Sequence, residues 1–230
     1  MKRIGLLGGM SWESSALYYR LLNTGVRDAL GGLHSASCVM GSVDFAEIER
    51  LQSAARWDEA GEVLAREARA LVAAGAEALV LCTNTMHLVA EHIERAVDVP
   101  LLHIVDVTAE AILAAGKRRV ALLGTIFTME QPFYADRMAR HGVETLVPAP
   151  GERQDINRVI YDELVRGVVS DDSRKRYIEI VERLAAEGAE GVILGCTEIE
   201  LLIGADDVSI PVYPTTALHA QAAVAFALGR

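Results

Sequence analysis

Two short strings hold the residues best suited to chemistry: "VLCTNTMHL" at 80–88 and "ILGCTEIEL" at 193–201. In each, an apolar run ends in a cysteine, then a threonine, then further polar groups: Cys82, Thr83, Asn84 and Thr85 in one, Cys196, Thr197 and Glu198 in the other. A buried strand has no need of such a cluster at its end. A thiol with its ordinary pKa of about 8.5 is already partly thiolate near neutrality, and a helix N-terminus or nearby donors would raise that fraction. Two matched thiols suit moving a proton from one face of a carbon to the other: one takes the α-proton, the opposite one returns a proton, and no cofactor is needed. The hydroxyl, amide and backbone N–H donors of Thr83, Asn84, Thr85 and Thr197 could hold a carboxylate and stabilise the charge that spreads into it.

A lone cysteine at a strand end is ordinarily a small buried hydrophobe. Recurrence in two Cys-Thr strings argues for more here. Cys38, in "SASCVMG", has no such context and reads as structural. Three free thiols fit a reducing cytosol, which disfavours a permanent Cys82–Cys196 disulfide. His87, just after the first string, is either a support for Cys82 or a histidine on a helix surface.

Other residues narrow the chemistry. The lysines Lys2, Lys117 and Lys175 sit before strands or in a charged helix, so none reads as a Schiff-base lysine for pyridoxal phosphate. "GLLGGMS" lacks dinucleotide spacing. Gly8-Gly9-Met10-Ser11 reads either as a turn whose N–H groups face an anion or as a plain strand-to-helix turn. Thr125 and Thr128 of "GTIFTM" are its counterpart. His87 and His92 are five apart and the cysteines lack zinc spacing, so no metal site is expected. A net charge of −10 argues against nucleic acid and anionic membranes as partners. No apolar run is long enough to span a bilayer, and the start does not read as a signal peptide, so a cytoplasmic protein is expected.

These residues need elements to hold them. Three segments recur in order: "KRIGLLGG" with "RRVALLGT", "AGAEALVLCTNT" with "EGAEGVILGCTE", and "VPLLHIVDVTAEA" with "IPVYPTTALHAQA", at separations of 116, 113 or 114, and 111 residues. That is a duplication. The runs "RIGLLG", "ALVLC", "PLLHIV", "RVALLG", "GVILG" and "IPVY" are apolar on both faces, as covered parallel strands require. Amphipathic stretches over 12–30, 58–74, 129–141, 152–166, 174–187 and 215–228 predict helices between and beyond them. Alternation of this kind predicts open parallel sheets, with ligands outside the carboxyl ends of the strands. Both Cys-Thr strings lie at such ends.

The motifs "IGLLGGMSWESS" (4–15), "CTNTMH" (82–87), "LLGTIFTM" (122–129), "INRVIYDEL" (156–164) and "GCTEIELL" (195–202) make the chain resemble the aspartate/glutamate racemase family along essentially its whole length. The resemblance implies two pseudo-symmetric three-layer α/β/α domains, 1–100 plus 211–230 and 101–210, with the active site in the cleft between them. It implies cofactor-independent 1,1-proton transfer by Cys82 and Cys196 on aspartate or glutamate. It implies an α-carboxylate held by Asn84, Thr85 and Thr125, with Met10 and Gln52 lining the pocket, and a homodimer. Glu198 stands where cell-wall glutamate racemases have histidine, which fits the aspartate branch. A lysine of some aspartate-preferring members falls near Arg166. Hydantoin racemases, maleate isomerases and arylmalonate decarboxylases resemble the chain more distantly. A non-catalytic protein binding a small acid is the remaining alternative.

Overall fold

The computed structural model describes residues 1–230. In chain order the elements are β1 (Ile4–Gly8), α1 (Trp12–Leu30), β2 (Cys38–Ser42), α2 (Phe45–Ser53), α3 (Trp57–Ala73), β3 (Ala78–Leu81), α4 (Ala90–Ala96), β4 (Leu101–Leu102), α5 (Ile104–Ala114), β5 (Arg119–Gly124), α6 (Ile126–Glu130), α7 (Pro132–Arg140), β6 (Glu144–Leu146), α8 (Pro150–Asp162), α9 (Asp171–Ala186), β7 (Val192–Gly195), β8 (Val212–Pro214) and α10 (Thr215–Leu228). Short 3-10 helices follow at Thr85–Val89, Leu164–Arg166 and Thr197–Leu201.

The strands form two four-stranded sheets with the same order, β2-β1-β3-β4 and β6-β5-β7-β8, and every pairing is parallel. This is the α/β fold expected from the alternating grammar. The chain divides into two compact units, Met1–Ile104 with Thr216–Arg230, and Val105–Thr215. The helix after the fourth strand therefore belongs, in each half, to the unit that does not contain that strand. α5 follows β4 but counts with the second unit, and almost all of α10 counts with the first.

In the first unit, alternation along the strands sends side chains to two cores. Leu7, Leu79 and Leu81 pack against α2, α3 and α4, while Ile4, Leu6, Ala78, Val80 and Cys82 pack against α1 and α10. Gly5 is required by crowding, because a Cβ there would lie 2.7 Å from Leu79 and 2.8 Å from Ala76. In the second unit, Ala121, Leu123, Val192 and Leu194 join α8 and α9 in one core, and Val120, Leu122 and Ile193 are buried on the other face.

α1 ends at Gly31 with φ 76°, the left-handed stop that the Gly31-Gly32 pair predicts. The helix expected over 129–141 is two, α6 and α7, divided where Pro132 starts the second. The one expected over 152–166 ends at Asp162, and Leu164–Arg166 is a 3-10 turn. The segment "PLLHIV" contributes only Leu101–Leu102 as strand, and α5 begins at Ile104.

Candidate active site

In the first unit, Met10 and Ser11 follow β1, Gln52 lies on α2, and Cys82, Thr83, Asn84 and Thr85 follow β3. Ser11 is the N-cap of α1. Its hydroxyl accepts from the Ser14 N–H at 3.3 Å and lies 3.2 Å from the Ser14 hydroxyl. The Gly9 N–H is committed to the Ser15 hydroxyl at 2.8 Å. Gly9 itself has φ 97°, and a Cβ there would meet the Val43 carbonyl oxygen at 2.3 Å. The Gly8–Ser11 turn therefore spends these groups on its own helix. Gln52 is buried and its amide points at the Met86 sulfur, 2.8 Å away, under the Thr85–Val89 turn. Met10 belongs to the same core.

In the second unit, Thr125 repeats the role of Ser11. It caps α6, its hydroxyl 3.4 Å from the Thr128 N–H and 3.2 Å from the Thr128 hydroxyl. Asn157 reinforces that turn, its side-chain carbonyl accepting from the Ile126 N–H at 2.8 Å. Asn157 lies inside the "INRVIYDEL" motif, which lies outside the three repeated segments, so only that motif could have drawn attention to it. Arg166 is exposed and ends the 3-10 turn packed against Thr197–Leu201. The fold thus collects Met10, Ser11, Gln52 and Cys82–Thr85 at one sheet's carboxyl end. Thr125, Cys196, Thr197 and Glu198 lie at the other's, with Arg166 beside them.

The two thiols are not alike. Cys82 is completely buried among Ile4, Leu6, Tyr18 and Leu22, its sulfur 3.7 Å from the Val80 carbonyl. Burial drives its pKa far above the ordinary value. Cys196 is half-buried, and its S–H donates to Glu198 Oε2 at 2.9 Å. Its pKa is also raised, first by burial, then by the Glu198 charge and hydrogen bond, with Glu200 adding to the effect. The Glu198 backbone N–H, by contrast, favours the thiolate. For both thiols burial is the largest cause of the raised pKa, and only at Cys196 do carboxylates add to it. Cys38, at the start of β2, is half-buried against the α1–α10 core, with a pKa raised by burial.

Strand register separates the thiols further. Leu6 pairs with Val80 and Leu7 with Leu81 in one sheet; Leu122 pairs with Ile193 and Leu123 with Leu194 in the other. With β1 and β5 matched as the repeat matches them, Leu81 corresponds to Leu194. Cys82 then corresponds to Gly195, and Thr83 to Cys196. Thr83 is half-buried, as Cys196 is. The Cys-Thr likeness in sequence is thus shifted by one residue in the fold, and one residue reverses the face of the strand.

A family model of Asp/Glu/hydantoin racemases matches residues 7–223. The chain belongs to that family. A Yersinia pestis protein provisionally named an Asp/Glu racemase has a crystal structure that matches with TM-score 0.95 and 51% identity, over 99% of this chain and all of the other. PH1733 from Pyrococcus horikoshii, described as an aspartate racemase homologue, matches with TM-score 0.89 and 35% identity over the same shares. The broad specificity amino-acid racemase RacX of Bacillus subtilis is 25% identical over 170 residues, 73% of this chain and 72% of RacX. The family places the chain among racemases, in the isomerase class.

Proposed function

We propose that this chain is a cofactor-independent racemase of aspartate or glutamate, with Cys196 as its principal acid–base group. The observation that supports this is the Cys196–Glu198 pair: a partly buried thiol at a strand's carboxyl end, hydrogen-bonded to a carboxylate. A free amino acid carries an ammonium. Brought near Glu198 and Glu200, that cation offsets the field that keeps the thiol protonated, so substrate itself lowers the thiol pKa. The thiol proton leaves through Glu198 to solvent. The thiolate then takes the α-proton; the C–H bond breaks, the S–H bond forms, and the electron pair spreads into the α-carboxylate. Donors from Asn84, Thr85 and Thr125 are the groups proposed to hold that carboxylate. Arg166 is the cation proposed for the side-chain carboxylate.

The returning proton comes from the Cys82–Thr83 position, and the register favours the Thr83 hydroxyl: its O–H bond breaks as the new C–H bond forms, and the alkoxide left behind takes a proton from solvent. Cys82 is then the buried support beneath it. A hydroxyl donates to a carbanion readily and removes an α-proton poorly. The two enantiomers are equal in free energy, so kcat/KM is the same in both directions; the asymmetry of thiol and hydroxyl shows in kcat and KM taken separately, with Cys196 meeting the α-proton of the enantiomer that we assign to the L-form. The homodimer is part of the same proposal and is measured by sedimentation.

The test is incubation with each enantiomer of each amino acid in D₂O, following loss of the α-proton signal by NMR. Exchange with aspartate or glutamate, abolished in Cys196→Ala, is expected. No exchange with any amino acid would sink the racemase reading. A covalent adduct with maleate would favour an isomerase of alkenes instead.

A further inference from the structure

Three buried histidines lie together behind the Cys82–Thr85 segment. His87 is 3% exposed, His103 4% and His219 0%. The His87 ring lies 4.5 Å from that of His103 and 5.9 Å from that of His219, centroid to centroid, both edge-on. The alternative of a histidine on a helix surface at position 87 is excluded by this burial.

Hydrogen bonds fix the state of two of these rings. The Ile104 backbone N–H can only donate, and its partner is His87 Nε2 at 3.2 Å. Nε2 therefore carries a lone pair, and the proton of a neutral ring is on Nδ1. Nδ1–H then donates to the Thr83 carbonyl at 2.7 Å. In the same way the Leu102 carbonyl can only accept, so His219 carries its proton on Nε2, and Nδ1 accepts from the Tyr18 hydroxyl at 2.9 Å. The peptides on either side of His103 are thus each tied to an imidazole. Ile104 is also the last residue of the first unit before the chain enters the second, and His219 lies just beyond the return at Thr216.

We propose that His87 is a positioning residue: through its neutral Nδ1–H tautomer it locks the Thr83 peptide to the Ile104 peptide, and so sets the direction of the Thr83 side chain and of the Asn84–Thr85 donors. The inference rests on the racemase reading above for its kinetic consequence. A protonated His87 would present N–H to N–H at Ile104 and lose the tie. A displacement of about 1 Å in such a segment is worth roughly 10²-fold in rate.

Near-isosteric variants separate this role from packing. The His87→Asn amide reaches the Nδ1 position and can still donate to the Thr83 carbonyl. The His87→Gln amide reaches the Nε2 position and serves Ile104 instead. With α-proton exchange from the L-substrate as the assay, His87→Asn should keep kcat within about fivefold. His87→Gln and His87→Ala should lose about 10²-fold in kcat with KM changed less than about threefold. Equal losses in the Asn and Gln variants would overturn the proposal, as would full kcat in His87→Ala. Amide hydrogen exchange of the peptide containing Thr83–Thr85 reads the tie without turnover. It should quicken in His87→Gln and stay protected in His87→Asn, and the reverse pattern would overturn the proposal. An inactive wild type that still shows the expected exchange pattern would count against the racemase reading and not against the tie.

Discussion

At the scale of single residues, position on the strand outweighs motif. Cys82 and Cys196 share a Cys-Thr signature, yet one lies in an apolar core and the other beside carboxylates. Cys196→Ala should lower racemisation by 10²–10⁴-fold, the usual consequence of removing a general acid or base. Cys82→Ala should retain most activity, while Thr83→Val should depress turnover of the L-enantiomer. A loss in Cys82→Ala as deep as in Cys196→Ala would restore the two-thiol mechanism that the sequence suggested. Glu198→Gln removes the charge that raises the Cys196 pKa, so its thiolate fraction at neutral pH should rise. Iodoacetamide should then label Cys196 faster than in the wild type; an unchanged rate would mean that burial alone sets the pKa.

At the scale of elements, what the sequence revealed depended on burial. The central strands β1, β3, β5 and β7 are buried along almost their whole length, and their apolar runs are legible directly. β2 and β6 are edge strands with half-exposed residues, so they carry no such run and were not legible. The Gly8–Ser11 turn and its counterpart at Thr125 and Thr128 were legible as a match, though not as helix caps. The one-residue shift between Cys82 and Cys196 was visible only as an ambiguity of 113 or 114 residues. Periodicity cannot fix a register that hydrogen bonding between strands decides. The α10 helix carries a pH dependence of its own. Burial lowers the His219 pKa from 6.5 to about 4, partly opposed by its bond to Leu102. The unfolded chain binds this proton more readily, so the stability His219 contributes is complete above pH 6.5 and is lost as pH falls towards 4. A shift of that size corresponds to about 3 kcal/mol at most. Urea midpoints measured between pH 7 and 4.5 should fall in the wild type, and His219→Gln should flatten that slope.

At the scale of the whole molecule, the two units differ in how the chain supplies them. The second is one continuous segment, Val105–Thr215, with its own core. The first needs α10, whose Ala220, Ala223 and Ala227 cover Ile4, Leu6 and Tyr18. A fragment of residues 105–215 should therefore unfold cooperatively in urea, while residues 1–104 alone should bind a hydrophobic dye and show no cooperative transition. A cooperative 1–104 fragment would show that α10 is dispensable.

That discontinuity has a consequence during synthesis. As the chain leaves the ribosome from its first residue onward, β1 and α1 emerge early, but the helix that covers their apolar face is made after everything in the second unit. The half of the molecule begun first is therefore completed last. Until α10 arrives, Ile4, Leu6 and Tyr18 remain uncovered, and at typical rates of about 5–20 residues per second that interval lasts about 10–40 seconds. Chaperone dependence should accordingly fall on the nascent N-terminal segment, and a premature stop before Thr216 should strand it without a lid.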